Sequence, residues 1–542
     1  MYAHYLFLLG HSLCPYFHRV VKISNNRHYR PVMTVRAETK NGDTTFMTIS
    51  VGDATTITPP SLASEKQTIS DSGIRLREFC RLCPKAELHA HLNGCVRETT
   101  LSELAAERGV SLSERFVGDD CGSSGSSEGV RSVGRSRGSK RLLRRSLSDC
   151  FEIFDEIRRC VTDLPALRRI TREALEDFAG AGVSYLELRS TPKKLLLRRP
   201  AGDRGGDDRG GCKEGDLLCS KREYAETIVG VMRRFEAEER VRYRQEVDDH
   251  LIVGSDVSGL PPRLPLVSRY LVSVDRSKSV QEADENVDLA TTLFGEGNEF
   301  VVGIDLGGNP TKNDFRDFEP SLRRAREAGM GVSVHCGEVP TSSAGSGSGP
   351  EDLSTENTAA LSGIADSEAE AIVMSFCPDR LGHALLLPPP VADALLKLRV
   401  PVECCPTSNV MTLELATAAH HHHRKDDLVE GLRNHPQLRR WLDSDHPISL
   451  STDDSGVFDT DPTREMLLMA EAFGMEEKDL QRLCLRAFED AFVERIEDGD
   501  RSGGGGRMTK AAIREAAEEG MNGLTRWLDQ KFGIERVCID NS

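Results

Sequence analysis

Eight short, strand-like runs recur along the 542-residue chain, and amphipathic stretches fill most of the gaps between them. The runs cover residues 86–92, 183–190, 269–276, 301–308, 332–338, 380–387, 400–409 and 448–454. Residues 164–182, for example, place apolar side chains at helical spacing and end in glycine. Because eight strands that alternate with helices are typical of a closed parallel barrel, we predict an α/β chain with the (β/α)8 fold, the TIM barrel.

Reactive side chains stand near the carboxyl ends of these runs, after the apolar residues. They are His89 and His91 in the first run, Asp275 in the third, His335 and Glu338 in the fifth, His383 in the sixth, and Asp453 and Asp454 in the eighth. Barrel enzymes place their chemistry at the carboxyl ends of the strands, whereas scattered structural histidines have no reason to follow that rule. The pattern therefore predicts one active site at this end of the barrel.

Four of these residues form a candidate metal site. His89 and His91 lie two positions apart on a strand, so both side chains point to the same face, which inside a barrel is the lumen. The pair could instead be two surface histidines that flank Ala90. A third imidazole from His335 and a carboxylate from Asp453 would complete a ligand set suited to a divalent ion such as zinc, with an open position for water.

Two further residues suit acid–base chemistry beside that water. His383 could accept or orient a proton from the water, and Glu338 could act as general acid toward the substrate. A His and a Glu three residues apart, as in the stretch VSVHCGEVP at 332–340, are by themselves more often part of a solvated loop. The agreement among five strand ends favours the catalytic interpretation.

The amino-acid composition argues against two kinds of binding partner, nucleic acid and membrane. The chain has 70 Lys and Arg against 86 Asp and Glu, a formal charge of −16, so no domain-wide basic excess indicates nucleic-acid binding. No run of 18 apolar residues occurs, so we expect no membrane span. The 15 cysteines include the adjacent Cys404 and Cys405, which favours a reduced compartment. Cys80 and Cys83 have C-x-x-C spacing without a second pair, so they are assigned to no zinc site.

Two segments of different character make up the predicted domain organisation. Residues 1–75 form an N-terminal extension, and residues 76–535 form the barrel domain. Residues 1–37 contain basic but no acidic side chains, which is typical of a targeting peptide; an unstructured extension, or a start that belongs at Met33, explains them equally well. We expect a cytoplasmic protein, with targeting to an organelle as the alternative.

Low-complexity insertions interrupt the barrel domain near residues 115–145, 198–220, 341–357, 415–428 and 500–507. Several are rich in Gly, Ser or Arg and contain too few apolar residues to bury a core. Four adjacent histidines, His420–His423, lie in one of them, and we interpret this run as incidental to function.

Five ordered motifs resemble those of the adenosine/AMP deaminase family of metal-dependent barrel hydrolases. They are ELHAHLNG, DLGGNP, HCGE, LGHA and SLSTDDSGVF, and the resemblance runs from about residue 82 to about residue 495. By this resemblance, His89, His91, His335 and Asp453 bind one Zn²⁺ per subunit. It also implies that Glu338 protonates purine ring nitrogen 1, that His383 activates the water, that Asp454 positions water and purine, and that Gly308 presents its backbone to the base.

Three details resemble the adenosine deaminase-like branch of that family, which hydrolyses N6-methyl-AMP to IMP and methylamine. Asn93 and Gly94 follow the first histidine motif, Pro310 follows the DLGG turn, and the last motif reads TDDSGVF. Two features depart from the branch. Arg158 stands where a histidine is expected, and HCGE is closer to the adenosine deaminase form of that motif.

The stretch ELRSTPKK at the end of the second run fits a nucleotide monophosphate. Hydroxyl groups, backbone amides and a cation can hold a phosphate, although a solvated basic loop would have the same composition. By resemblance, the residues that contact the nucleotide are Ser190, Thr191, Pro192 and Lys193, and those that contact the rest of the substrate include Asn93 and Asp275.

The sequence therefore predicts a zinc-dependent hydrolytic deaminase of purine nucleotides, which converts N6-methyl-AMP and water to IMP and methylamine. The alternatives are an adenosine deaminase, a barrel amidohydrolase with a non-purine substrate and, more remotely, a non-catalytic binding protein that keeps the fold. We expect a monomer whose partner is a small purine nucleotide, with neither nucleic acid nor membrane as a partner.

Overall fold

The strands of this computed structural model overlap the eight predicted runs and add a three-stranded sheet and two short pairs. In chain order they are β1 (Lys22–Ser24), β2 (Val32–Glu38), β3 (Thr44–Ser50), β4 (Lys85–His91), β5 (Leu142–Leu143), β6 (Val183–Ser190), β7 (Leu195–Leu196), β8 (Leu217–Cys219), β9 (Val267–Asp275), β10 (Val301–Gly307), β11 (Gly331–Cys336), β12 (Arg380–His383), β13 (Val402–Cys404), β14 (His422–His423) and β15 (Ile448–Leu450). The structure describes residues 22–24, 32–38, 44–50, 71–113, 142–143, 146–196, 217–252, 260–338, 368–413, 415, 422–423, 425–493 and 509–534, so most of the predicted insertions lie outside the described residues.

Eight of these strands form one parallel sheet that follows chain order, from β4 through β6, β9, β10, β11, β12 and β13 to β15. A bridge between Ala90 and Asp453 completes the ring. The backbone N–H of Asp453 donates to the carbonyl of His89, and the N–H of His91 donates to the carbonyl of Asp453, both at 2.9 Å. The predicted (β/α)8 barrel is confirmed, and its closure brings the candidate ligands of the first and last runs side by side.

The helices between the barrel strands cover the outside of the ring. The helices of the described chain are α1 (Asp71–Leu82), α2 (Glu98–Arg108), α3 (Leu147–Cys160), α4 (Leu164–Gly180), α5 (Lys221–Ile252), α6 (Val280–Gly295), α7 (Phe315–Glu327), α8 (Pro389–Leu398), α9 (Pro406–Thr412), α10 (Lys425–Arg433), α11 (Leu438–Asp443), α12 (Pro462–Phe473), α13 (Glu477–Glu489) and α14 (Lys510–Lys531), with a π-helical segment at Ala371–Phe376. In α4, Asp163 caps the first turn by accepting the N–H of Ala166 at 2.8 Å. Its apolar stripe is buried, as the helical spacing predicts.

The chain divides into two compact units, Met1–Arg75 and Leu76–Ser542. In the first, β1, β2 and β3 form an antiparallel sheet. In the second, β5 pairs with β14 and β7 pairs with β8, both antiparallel, beside the barrel sheet. None of the described helices has the length and apolarity that crossing a bilayer requires.

Charged side chains occupy part of the barrel lumen. Arg189 on β6 donates to Asp305 on β10 at 2.8 Å and to Glu403 on β13 at 3.0 Å. Arg380 on β12 donates to the same Glu403 at 2.6 Å and also pairs with Glu187. All five side chains are almost fully buried. Because a buried charge is costly unless it is paired, this network holds each member in a defined position from which it can orient its neighbours.

Candidate active site

Three imidazole nitrogens converge at the carboxyl end of the barrel. The Nε2 atoms of His89 and of His335 each lie 3.2 Å from Nε2 of His91. The Oδ1 atom of Asp453 lies 3.5 Å from Nε2 of both His89 and His91. Burial lowers the pKa of His91 well below its usual range, so this ring is neutral and has a lone pair to offer. Such a set of lone pairs around one point fits a divalent cation.

Local backbone geometry explains why these side chains meet. His89 and His91 occupy alternate positions of β4 and therefore face the same side of the strand. Gly382 leaves room for the ring of His89, because a Cβ at Gly382 would lie 2.9 Å from that ring. His383 and Asp453 both have φ of +62°, in the left-handed region that non-glycine residues rarely adopt. Strain of this kind at two strand ends that face one site is typical of functional sites.

Acceptors behind two of the rings fix their tautomers. Nδ1 of His89 donates to Oε2 of Glu403 at 2.6 Å. Nδ1 of His335 donates to the carbonyl of Leu306 at 3.0 Å and lies 3.1 Å from Oδ1 of Asp305. With the proton on Nδ1, each ring turns an unprotonated Nε2 to the centre, as a metal ligand requires.

The charges of these acceptors are held by the buried arginines. Although burial alone would raise it, the pKa of Glu403 is held well below its usual range by the guanidinium groups of Arg189 and Arg380. Burial lowers the pKa of His335, but the adjacent Asp305 carboxylate outweighs this effect and raises it to about 9, so Nε2 of this ring attracts a cation, whether a proton or a metal ion, more strongly than an ordinary imidazole does. Carboxylates placed behind ligand histidines in this way increase their basicity and fix their orientation.

Glu338 and His383 face the same space as the candidate metal ligands. Nε2 of His383 lies 3.4 Å from Oε1 of Glu338 and 4.0 Å from Oδ2 of Asp453. Burial lowers the pKa of His383, so this ring is neutral as well. Glu338 follows the end of β11 and remains partly exposed, which lets it reach a molecule in the mouth of the barrel.

Asp275 and Gly308 lie on neighbouring strand ends. Gly308 has φ of +92°, and a Cβ there would lie 2.3 Å from Oδ1 of Asp275. Only glycine therefore allows this backbone to pass so close to the carboxylate. The Asp275 carboxylate accepts from the backbone N–H of Ser277 at 2.9 Å, which fixes its direction.

The predicted nucleotide-contact residues lie where β6 ends. Ser190 is buried, and its Oγ lies 3.1 Å from the hydroxyl of Tyr270; Thr191, Pro192 and Lys193 continue from it into the following loop. Nearby strand ends supply two buried oxygens, Oδ1 of Asn93 and Oδ1 of Asp454, that have no hydrogen-bond partner within the described ranges. Because buried polar atoms are normally paired, such oxygens mark where a water or ligand atom would bind.

The structure thus brings the four candidate ligands, Glu338 and His383 together, and it adds residues that the sequence analysis did not identify. These are Asp305, Glu403 and Arg189 behind the rings, Ser408, and the pair Asn409 and His435. Arg158 on α3 pairs with Asp155 of the same helix and is 46% exposed. The side chains of His420–His423 lie outside the described residues.

Comparison with known proteins places the chain among deaminases. The sequence model of the family described as adenosine deaminase matches residues 84–205 and 365–499. The Arabidopsis thaliana protein named N6-mAMP deaminase is 31% identical over 423 residues, which cover 77% of this chain and 94% of that protein. The Drosophila melanogaster adenosine deaminase-like protein is 28% identical over 431 residues, which cover 79% and 98%. His335 and Glu338 lie between the two matched segments, so their place in the site rests on geometry.

Solved structures agree with these sequence relatives. A crystal structure of Arabidopsis N6-mAMP deaminase aligns with a TM-score of 0.53 and 28% identity, covering 82% of this chain and 99% of that one. A structure described as an ADAL–IMP complex aligns with a TM-score of 0.54 and 26% identity, covering 82% and 99%.

The hydroxyl of Ser408 should influence metal affinity, because it donates to Oδ2 of Asp453 at 2.7 Å and so orients the carboxylate. We expect Ser408→Ala to weaken binding of zinc by about tenfold, as loss of an orienting partner typically does. Titration with a chromophoric chelator measures this change. Ser449→Ala is the matched control, because Ser449 is buried and its hydroxyl has no partner among the described residues. Equal affinities for the two variants would contradict the orienting role.

Proposed function

Because the chain belongs to the adenosine deaminase family, we propose that it is a zinc-dependent deaminase of purine nucleotides whose preferred substrate is N6-methyl-AMP. Family membership follows from 31% identity over 94% of the Arabidopsis relative, and it makes the chain an aminohydrolase. The observation that carries the proposal is the convergence of His89, His91, His335 and Asp453 beside Glu338 and His383.

The nucleotide class is supported by the similar proteins. Relatives from Arabidopsis, zebrafish and human carry the name N6-methyl-AMP deaminase or its abbreviation, at 31%, 28% and 25% identity. The similar structure in complex with IMP contains the product that we propose for this chain. In the reaction, an oxygen–carbon bond forms at purine carbon 6, the bond from that carbon to the exocyclic nitrogen breaks, and methylamine leaves. Of the two protons of the water, one balances the proton gained by ring nitrogen 1 and the other leaves on methylamine.

The donor set of three imidazoles and one carboxylate suits zinc. When bound, the ion lowers the pKa of a water molecule to about 7 and so supplies the nucleophile at neutral pH. His89, His91, His335 and Asp453 would hold the ion. Glu403 and Asp305 would keep the rings in the ligating tautomer, through the contacts described above.

Glu338 and His383 act on the substrate and on the attacking water. Glu338 is placed to deliver a proton to ring nitrogen 1, which makes carbon 6 more electrophilic. His383 presents Nε2 to the attacking water at the same place. Asp454 holds water and purine, and Gly308 offers its backbone to the base, at a position where φ of +92° excludes other residues.

A phosphate would be held where β6 ends. Ser190, Thr191 and Lys193 supply hydroxyl groups and a cation there, while Asn93 and Asp275 lie at the ends of β4 and β9 on the same side of the barrel. A nucleoside lacks the phosphate, so this region is where a nucleotide enzyme and a nucleoside enzyme would differ.

The proposed substrate can be tested by comparing three purines. We expect the purified protein, loaded with zinc, to release IMP and methylamine from N6-methyl-AMP with a kcat/KM well above those for AMP and adenosine. Chromatography of the purine and an amine assay measure both products. Turnover of adenosine without turnover of either monophosphate would instead identify an adenosine deaminase. Absence of bound zinc and of any turnover would favour the non-catalytic alternative.

Glu338→Gln should separate proton donation from metal binding. We expect kcat to fall by about 10²- to 10⁴-fold, the range for loss of a general acid, while the zinc content of the purified protein stays close to that of the wild type. Glu327→Gln makes the same change at an exposed helical position and serves as the control. If Glu338→Gln lost the metal together with its activity, Glu338 would be a ligand.

Lys193→Ala should raise KM for the nucleotide but not KM for the nucleoside. Loss of a charged contact to phosphate is expected to raise KM for N6-methyl-AMP about tenfold or more and to leave KM for N6-methyladenosine nearly unchanged. Lys312→Ala removes an exposed lysine from another loop of the barrel and is the matched control. If Lys193→Ala raised KM equally for nucleotide and nucleoside, Lys193 would not be a phosphate ligand.

A further inference from the structure

A chain of three buried polar side chains runs away from the site behind His383. As the amide of Asn409 on α9 is placed, its Oδ1 lies 3.0 Å from Nδ1 of His383, and its Nδ2 lies 3.3 Å from Nε2 of His435. The three residues are 3%, 1% and 4% exposed, so no bulk water competes for these contacts. Each hydrogen bond in such a chain must match one donor to one acceptor, and the protons can therefore be placed by working inward from the far end.

The far end of the chain is fixed by the backbone. The N–H groups of Gln437 and Leu438 both point at Nδ1 of His435, at 3.1 Å and 3.0 Å. Nδ1 must therefore offer a lone pair, because a proton on it would oppose two backbone donors. Burial also lowers the pKa of His435 to about 3, so the ring is neutral. A neutral ring whose Nδ1 accepts has its proton on Nε2, the atom that faces Asn409.

That proton determines how the amide of Asn409 is turned. The oxygen and nitrogen of an amide have nearly the same size and exchange places by a half turn, so the hydrogen-bond partners decide which is which. With the amide nitrogen at Nε2 of His435, as placed, two N–H donors oppose each other at 3.3 Å. A half turn of the amide removes this conflict, because it brings the oxygen to His435 and directs the amide N–H at Nδ1 of His383.

We propose that Asn409 and His435 are positioning residues that hold His383 as the neutral tautomer with its proton on Nε2. His383 then donates a hydrogen bond into the active site, where Oε1 of Glu338 is 3.4 Å from that nitrogen. In this tautomer, Nε2 has no lone pair with which to remove a proton from water. His383 orients the attacking water by donating to its oxygen, and the proton that the water loses passes to the Glu338 carboxylate, which has given its own proton to ring nitrogen 1.

The substitution Asn409→Asp tests this assignment, which rests on the proposed function for its assay. A carboxylate can still accept from Nε2 of His435, but it can no longer donate to Nδ1 of His383, so it forces the proton of His383 onto Nδ1. With zinc content and melting temperature as checks, we expect kcat for N6-methyl-AMP to fall by about 10²- to 10⁴-fold, as a wrong histidine tautomer does in other enzymes, and KM to change by less than about threefold.

The opposite amide orientation predicts the opposite result. If the oxygen of Asn409 accepted a hydrogen bond from Nδ1 of His383, an aspartate would accept it equally well, and Asn409→Asp would keep its kcat within about threefold of the wild type. That result would overturn the proposal. Asn434→Asp adds the same negative charge at an exposed residue next to His435, and it should leave kcat unchanged. If the wild type acted on none of the purines, the proposed function would be contradicted. That result would say nothing about which nitrogen of His383 carries the proton.

Neutron crystallography of the wild-type, zinc-loaded protein places the protons directly, so the proposal remains testable if Asn409→Asp fails to fold or loses its metal. After exchange into D₂O, we expect deuterium on Nε2 of both His383 and His435, and on the side of the Asn409 amide that faces His383. Deuterium on Nδ1 of His383 would overturn the proposal, whether or not Nε2 also had one.

Discussion

The contact on which the site most depends is the bridge from Arg189 to Asp305 and Glu403. These two carboxylates stand behind His335 and His89, so the direction of both rings follows from the position of one guanidinium group. Removal of one member of a buried ion pair leaves an uncompensated charge and costs about 3–5 kcal/mol, whereas well-packed apolar residues could replace the whole set with little loss. The charged residues in the lumen are therefore better explained by their orientation of the rings than by a contribution to the stability of the fold.

Barrel closure and site geometry depend on each other. The backbone hydrogen bonds that join His89 and His91 to Asp453 complete the ring of strands, and they also place two imidazoles and a carboxylate next to one another. Asp453 reaches this place only with φ of +62°, a conformation that costs free energy. The remaining strands hold the closing strand in register, and the ordered barrel thereby stabilises a strained backbone at the point where the ligands meet.

The barrel and the convergence of its strand ends could be predicted from the sequence, because strand and helix periodicity are local and parallel strands all end on one side. Asp305, Glu403 and Arg189 had a weaker signal: each is a charged residue inside a predicted strand run, which is unusual unless a partner lies across the lumen. Ser408 and Asn409 end the seventh predicted run, but nothing in the sequence links them to Asp453 or His383, and His435 lies in no predicted run. Asn409 and His435 are 26 positions apart, and their contact depends on how α9 folds back behind the site.

The four histidines at the centre differ in what stands behind each ring. Behind His89 and His335 stand a carboxylate and a carbonyl, which take the Nδ1 proton and leave an unprotonated nitrogen for a cation. Behind His383 stands an amide whose own orientation is set by His435, and it returns the proton to the nitrogen that faces the site. The rings of His89 and His383 are only 4.8 Å apart. Because both rings are buried, the difference between a metal ligand and a hydrogen-bond donor arises from the residue behind each ring, a carboxylate in one case and an amide in the other.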